Sequence, residues 1–442
     1  MSVDQPGTAA VKRALPIILL TLFLDLLGFS ILFPIFAELM LYYQAQDSGI
    51  LAWAMGSLQS LLPGVSDERM AAFFGGFLLS SYALLQFLFS PFWGRLSDRL
   101  GRRPVLLLTT GLNCLGYAIW MVSGDFLLLL LGRMVNGIAA GNLSTLTAAA
   151  ADTAPAAKRT RVMGAIGATF GAGFLLGPAI GGLAYAYLPD FDGAGFGLNR
   201  FSAIAGLALL LSAINLMLIY RYFPETRRIS DHLNNLPLPG GGIVVLLAAY
   251  FVFMVSFTGM ELALIFMVRD LLAFGPQAIA WLFICIASTS MLVQGGLVRR
   301  LSHRISDRCF AISGLCIFFI GMLLLALIGR VPHPSLAYIG GITVSLGFAC
   351  VLPSISSWIS KLAPDHQQGA AMGRLRSLGA LARIVGPLAC ATMYFSLGAP
   401  TAFTILAVLL VLPLVMISWL VPAASSAPDM ANTDPMRDIP LS

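Results

Sequence analysis

The stretch Gly94-Arg-Leu-Ser-Asp98-Arg-Leu-Gly101-Arg-Arg-Pro104 separates two apolar runs, 71–93 and 105–123. Each run has roughly the 20 residues that carry a helix across the hydrocarbon core of a bilayer. So short a turn makes the two helices antiparallel neighbours. Its glycines allow a tight backbone path, and Pro104 is suited to the first position of the next helix. Arg95, Arg99, Arg102 and Arg103 crowd four cations into the turn, which predicts that it faces the cytoplasm. Asp98 is the lone acid among them and is expected to bond a helix end or a nearby arginine.

The rest of the composition agrees with a membrane chain. Of 442 residues, 58% are hydrophobic and 10% charged, where a soluble domain has about a quarter of its residues charged. The net charge of +6 does not point to nucleic acid, because the cations cluster in short loops between apolar runs. The apolar run that follows Lys12 and Arg13 is longer than the ~7–15 residues of a secretory h-region, so the sequence predicts a retained first helix. The six cysteines show no metal-ligand spacing and read as small apolar filler. No metal site is expected.

Twelve apolar runs fit the chain, at 15–41, 71–93, 105–123, 126–151, 161–188, 200–222, 243–268, 277–298, 309–329, 335–361, 372–397 and 399–421. They are numbered here as helices 1 to 12. An even number of crossings puts both termini on one side. Twenty of the 26 Lys and Arg fall on that side, four fall opposite (Arg69, Arg200, Arg269 and Arg330), and Arg133 and Arg383 lie inside helices. This asymmetry predicts cytoplasmic termini. Apolar residues at helical spacing from Ile50 to Leu62 fit a short amphipathic helix on the outer surface or a plain spacer. The expected organisation is a six-helix bundle over 1–222, a polar cytoplasmic linker over 223–242, a second bundle over 243–421 and a disordered cytoplasmic tail over 422–442. Gly177-Pro178 of helix 5 recurs as Gly386-Pro387 of helix 11, a sign of repeated halves.

Chemistry inside the membrane falls to few groups. The four histidines lie in loops, and there is no phosphate loop, HExxH or paired-cysteine site. Nothing suggests nucleotide hydrolysis or an enzyme, so any pumping draws on an ion gradient. Asp25, Arg133, Glu261 and Arg383 lie deep in helices, where each costs about 2.5–3.5 kcal/mol at mid-membrane. They are expected to pair or to face water, either as structural ion pairs or as a proton and substrate site. At a rise of ~1.5 Å per residue, Asp25 and Arg383 lie ~15–16 Å from the cytoplasmic ends of their helices, and Arg133 and Glu261 ~27 Å. Equal depths suggest two pairs across the halves, Asp25 with Arg383 and Arg133 with Glu261. Asn113, Asn142, Asn215, Gln86 and Gln294 are polar groups expected to bridge helices or line a cavity. Trp53, Trp93 and Trp419 fall near predicted interfaces and read as anchors.

The opening turn, Gly-x-Leu-x-Asp-Arg-x-Gly-Arg-Arg, resembles the loop between helices 2 and 3 of the major facilitator superfamily. Helix 5, with Gly164, Gly173, Gly177, Pro178, Gly181 and Gly182, is similar to the motif of that family's antiporters. On residues alone, Gly173, Gly177 and Gly181 share a face that permits close helix approach, and Pro178 adds a kink. Asp25-x2-Gly28-x5-Pro34 resembles the helix 1 motif of drug/proton antiporters. Leu129-x3-Arg133-x2-Asn136-Gly137 resembles their helix 4 motif, with Asn136 where Gln is commoner. Gly259-Met-Glu261 and the stretch Met372–Pro387 look like the tetracycline-transporter-like branch.

The resemblance implies an all-α fold of two pseudo-symmetric six-helix bundles around a cavity lined by helices 1, 4, 7 and 10. It implies proton-driven export of small amphipathic drugs or organic anions, with a proton gradient in place of a cofactor. Asp25, Glu261, Arg133 and Arg383 would couple protons. Gly94, Asp98, Arg99, Gly101, Arg102, Asp152, Arg159 and Arg161 would form a conformational latch on the cytoplasmic side. The expected setting is the cell (inner) membrane, as a monomer, with a small-molecule substrate, protons and the bilayer as partners and no nucleic acid. Two rivals remain at this stage: a proton symporter taking up a sugar or carboxylate, and a receptor or scaffold that kept the fold and lost transport.

Overall fold

The computed structural model describes residues 8–45, 50–61, 67–153, 159–191, 195–226, 241–298, 300, 305–363 and 368–420. The regular structure among the described residues is all helix, without a strand. Twelve helices among them are long and apolar enough to cross a bilayer. They are helices 1 (Ala14–Ala45), 2 (Ala72–Leu100), 3 (Arg102–Met121), 4 (Phe126–Asp152), 5 (Ala165–Tyr187) and 6 (Ser202–Tyr222), then 7 (Gly241–Leu272), 8 (Pro276–Gly296), 9 (Asp307–Leu327), 10 (Pro334–Leu362), 11 (Ala371–Leu397) and 12 (Ala399–Trp419). Residues 227–240 of the expected linker and the tail from 421 onward lie outside the described residues.

Four local features differ from the sequence expectation. The opening turn is shorter than its motif: helix 2 runs to Leu100, helix 3 begins at Arg102, and the only break is Gly101 at φ +102°. That left-handed angle suits glycine, and Pro104 falls in the third helical position instead of the first. Helix 1 is interrupted by a tighter turn at Phe33–Ile35, and helix 4 breaks at Gly141–Asn142. Trp93 is no interface anchor: it is buried, and its indole N–H donates to the Ile138 carbonyl at 2.7 Å. Trp53 and Trp419 are exposed. Residues 50–61 do form a helix.

The halves repeat at the level of atoms. Ser30 Oγ of helix 1 donates to Leu26 O at 2.7 Å and across to Gly173 O of helix 5 at 3.2 Å. Thr258 Oγ1 of helix 7 donates to Met254 O at 2.9 Å and across to Ala382 O of helix 11 at 3.1 Å. In each half the accepting carbonyl lies four residues before the glycine of the Gly-Pro pair. A Cβ on Gly177 would strike Ser30, and one on Gly386 would strike Thr258. Small residues bring the helix backbones together where no hydrophobic drive exists between them.

The two bundles meet tightly away from the basic turn. A Cβ on Gly182 of helix 5 would lie 2.6 Å from the Pro276 carbonyl oxygen of helix 8, and Gly76 of helix 2 lies as tightly against Ala391 of helix 11. Ser80 Oγ donates to Ile384 O at 2.9 Å. Glu38 and Arg269, at the far ends of helices 1 and 7, form an ion pair of 3.1 Å. Helix 7 is enclosed on every side from Phe253 to Val268, as expected of a helix apolar all round. Towards the basic turn the bundles part around a cavity of about 370 Å³.

The glycine contacts make a paired prediction. Gly177→Val and Gly386→Val each push a side chain into a packed helix crossing, so each is expected to cost about 1–3 kcal/mol. Thermal melts of the detergent-solubilised variants check this. Unchanged melting in both would show that the crossings have slack.

Candidate functional site

The intramembrane charges meet in the space between the bundles, though not as the two expected pairs. Asp25 accepts from the Asn142 amide at 3.1 Å and the Asn215 amide at 3.0 Å. Both donors were read from sequence only as intramembrane polar groups. The break at Gly141–Asn142 places Asn142 beside helix 1. Asn215 also reaches the Thr21 carbonyl at 3.4 Å, so helices 1, 4 and 6 converge on this one carboxylate. Asn113 and Gln86 line the same small cavity, with Arg383 on its far wall.

Arg383 lines three cavities. It shares the first with Asp25 and the second with Glu261, Tyr82 and Thr258. The third is the large one between the bundles. Its guanidinium lies 5.0 Å from the centre of the Phe170 ring of helix 5. No ion pair within 4 Å joins it to Asp25 or Glu261. The expected Asp25–Arg383 pair is therefore a shared cavity and not a contact.

The Arg133–Glu261 pair is absent. Arg133 is fully buried, and none of its guanidinium nitrogens has a hydrogen-bond partner. The guanidinium instead lies 4.7 Å from the Tyr82 ring centre and 5.3 Å from that of Phe29, rings that stack on each other at 4.5 Å. Cation–π contacts of this kind gain strength when desolvated. Glu261 faces the cavities on its own side. Equal depth along parallel helices fixes one coordinate and leaves the rotation of each helix open, and rotation separates these two groups.

The latch residues assemble inside one bundle. Arg102 Nη1 lies 2.6 Å from Asp98 and 2.6 Å from the Ser97 hydroxyl, and its Nε lies 3.1 Å from Asp152. Helices 2, 3 and 4 are thus tied at the basic end. Gly94 packs against Ser144 of helix 4, and Gly101 against Glu225. Arg99 is exposed. The side chains of Arg159 and Arg161 and the surroundings of Gly164 lie outside the described residues. Gly173, Gly177 and Gly181 face helix 1 and Gly182 faces helix 8, so the helix 5 motif serves a crossing within the bundle and one between bundles.

Two residues were missed from sequence. Glu225 accepts from the backbone N–H groups of Arg102 at 2.8 Å and Arg103 at 3.1 Å. It closes the N-terminus of helix 3, where unpaired N–H groups favour an anion. Its only sequence signal was an acid just after helix 6. Arg376 was counted with the cytoplasmic flank of helix 11, yet it lines the large cavity. The signal that could have found it is its spacing of seven residues from Arg383, two helical turns on one face.

Comparison with known proteins agrees with this architecture. A family model described as Major Facilitator Superfamily matches residues 18–387 and 246–438. The chain is 32% identical to major facilitator superfamily domain-containing protein 10 of Bos taurus, over 94% of each chain. It is 28% identical to the class E tetracycline resistance protein of Escherichia coli, over 87% of this chain and 88% of that one. The crystal structure of the human organic anion transporter MFSD10 (TETRAN) superposes with a TM-score of 0.72 at 29% identity, covering 93% of this chain and 100% of that one. A D-xylose-proton symporter superposes with a TM-score of 0.73 at 16% identity, over 93% of this chain and 98% of that one, a likeness of fold alone.

The tie at Arg102 generates a second prediction. Arg102→Ala leaves Asp98 and the largely buried Asp152 without their shared cation, at a cost of about 2–3 kcal/mol, below the cost of breaking a fully buried pair. Arg102→Lys recovers only part, because one ammonium cannot span two carboxylates and a hydroxyl as a guanidinium does. Melting curves of the three proteins should rank wild type above lysine above alanine. Equal melting of alanine and lysine variants contradicts the bridging role.

Proposed function

We propose, from the premise that this chain belongs to the major facilitator superfamily and is one of its transporters, that it exports small amphipathic compounds, organic anions among them, in exchange for protons. The basic turn then faces the cytoplasm, both termini lie there, and the cavity stands open to the cell interior. The working unit is a monomer in the cell (inner) membrane, and the proton gradient takes the place of a cofactor. The names of the relatives support the substrate class, as an organic anion transporter and a tetracycline resistance protein.

One observation carries the mechanism: Arg383 faces Asp25 across the cleft and Glu261 on its own bundle. Rocking changes the Asp25–Arg383 separation, because the two belong to different bundles, and leaves Glu261 and Arg383 at nearly constant distance. Unit charges brought to ~4 Å at an effective dielectric near 20 attract by about 4 kcal/mol. Inverting a two-state equilibrium from 1:99 to 99:1 takes about 5.5 kcal/mol. A single proton on Asp25 therefore moves the balance between the two states most of the way. Asp25 and Glu261 are the proton carriers in this reading. Arg133, held by aromatic rings between helices 1, 2 and 4, transmits the state of the first bundle to the cavity wall formed by Tyr82.

A second reading has one observation in its favour. Neither acid is ion-paired with Arg383, so an anion seated on Arg383 and a proton seated on Glu261 stabilise each other. Proton and anion would then travel the same way, as in a symporter. The direction of substrate movement under an imposed pH gradient separates the two readings.

The test is transport by proteoliposomes with a panel of amphipathic compounds, comparing wild type with Asp25→Asn and Glu261→Gln. Gradient-driven transport is expected to fall at least tenfold in each variant, with substrate exchange at equal pH retained. Equal gradient-driven rates in all three proteins would sink the carboxylate assignment.

A further inference from the structure

Two small cavities, of about 30 Å³ each, hold one intramembrane acid apiece: Asp25 lines the first and Glu261 the second. A water needs ~10–15 Å³ of such space, so each cavity has room for one. They share a wall made by Phe29, Tyr82, Gln86 and Arg383. The first also shares Leu143, Phe170 and Arg383 with the large cavity, whereas among the described residues the second shares Arg383 alone with it. Away from the basic turn, Phe36 stoppers the second cavity: its ring stands edge-on to Phe266 at 6.4 Å and packs against Gly75. Seen from the large cavity, the order is therefore Asp25, the shared wall, Glu261. Two neutral polar side chains stand in that wall. Gln86 spends its amide N–H on the Ala140 carbonyl at 3.2 Å, and its oxygen accepts no hydrogen bond from a described residue. The Tyr82 hydroxyl likewise bonds no described residue. Its ring is held between Phe29, stacked at 4.5 Å, and the Arg133 guanidinium, 4.7 Å from the ring centre. Among the described residues, the charged side chains lining the two cavities are Asp25, Glu261 and Arg383; Arg133 lines neither.

We propose that Tyr82 and Gln86 form a proton relay between Glu261 and Asp25, so that the two acids pass one proton in turn instead of carrying one each. This rests on the reading of both acids as proton carriers and adds the path between them. A phenol hydroxyl donates and accepts hydrogen bonds, and proton transfer through a single intervening water is within ordinary reach. The step moves one proton. Protonated Glu261 gives its proton to a water in the second cavity. That water passes a proton to the Tyr82 oxygen while the hydroxyl's own proton leaves to a water in the first cavity. The second water delivers a proton to the Asp25 carboxylate. Glu261 ends ionised and Asp25 protonated, and Tyr82 and both waters end as they began. Gln86 is a positioning residue: its open oxygen accepts a hydrogen from the relay water and holds that water at the wall. Arg383 stands at both cavities and is the counter-charge for whichever acid is ionised. The other two members of the wall cannot pass a proton, because Phe29 has no polar side-chain atom and a guanidinium keeps its protons.

The experiment uses the purified full chain reconstituted in lipid, without substrate, and follows the infrared carbonyl stretch of protonated carboxyl groups after a rapid drop in pH. The bands are assigned by their loss in Asp25→Asn and in Glu261→Gln. With the large cavity open, the proton reaches Glu261 by the same relay run backwards, so in wild type its band is expected to rise with or after that of Asp25. Tyr82→Phe keeps the ring and its stacking and removes only the hydroxyl. It should slow the rise of the Glu261 band at least tenfold and leave the Asp25 band and the melting curve unchanged. Gln86→Leu should slow the Glu261 band at least threefold, again with the Asp25 band unchanged. A purely structural role would move the melting curve, or both bands together. A Glu261 band that rises at the wild-type rate in either variant overturns the proposal, as does equal slowing of both bands or the absence of any band that Glu261→Gln removes. Because no substrate is present, a failure of gradient-driven transport in proteoliposomes counts against the export reading and leaves this test standing.

Discussion

The constraint on which this structure turns is that a charge inside a bilayer must be neutralised, hydrated or wrapped in polarisable surface. Four charges lie deep in the helices, and each meets that demand differently. Asp25 takes amide hydrogens from helices 4 and 6. Arg133 lies against two stacked rings. Glu261 and Arg383 open onto cavities. These solutions shape the bundles. The break in helix 4 delivers Asn142 to Asp25, the Phe29–Tyr82 stack ties helices 1 and 2, and the cleft exists where Glu261 and Arg383 need it. Asp25 fixes the packing of its bundle through hydrogen bonds that neutral or charged oxygens can both accept. It can therefore gain or lose a proton without the bundle losing its centre.

The repeat is faithful in the membrane interior and inverted at the rim. Ser30 and Thr258 make the same pair of bonds to the same relative positions. At the basic ends, Arg102 opens helix 3 and meets Asp152 closing helix 4, whereas Asp307 opens helix 9 and meets Lys361 near the end of helix 10. The polarity is exchanged and so is the burial. Arg102 is 8% exposed and bonds to two carboxylates and a hydroxyl; Lys361 is 66% exposed and bonds one. Exposed pairs contribute about 0–1 kcal/mol, so the first bundle has a firm rim and the second a soft one. The inversion also sets a cation, not an acid, at the cavity mouth.

What could be read in the residues follows from which coordinate a pattern encodes. Apolar runs gave the twelve crossings, and the glycines of helix 5 gave a close crossing, because both are properties of a single helix. The partner of that crossing, helix 1, and the second face at Gly182 needed the third dimension. Depth along the axis placed Asp25 and Arg383 in one cavity and wrongly joined Arg133 to Glu261, since a rise per residue says nothing of rotation. Arg376 was hidden by the topology count itself: it was tallied with the cytoplasmic flank of helix 11, and a position near a helix end does not say that the side chain turns to the cavity. Glu225 was hidden because its partners are backbone N–H groups, which no side-chain pattern announces. Trp93 shows the same limit. A tryptophan near a helix end serves lipid or neighbouring helix alike, and the Ile138 carbonyl decides it.

The closed face away from the basic turn is held by contacts that are individually weak. Glu38–Arg269 is partly solvated and worth at most about 1 kcal/mol. Ser80 to Ile384 O adds a hydrogen bond of about the same net value. Close packing adds to them, with Gly76 against Ala391 and Gly182 against Pro276 and Ala280, and Phe36 edge-on to Phe266. Close packing is an all-or-none interaction, because a gap of 0.5–1 Å already forfeits a quarter to a half of the dispersion energy. Contacts of so short a range are lost together once the two surfaces part. The glycines of helices 2 and 5 thus let the backbones of the two bundles meet closely on this face, where any side chain beyond hydrogen would hold them apart.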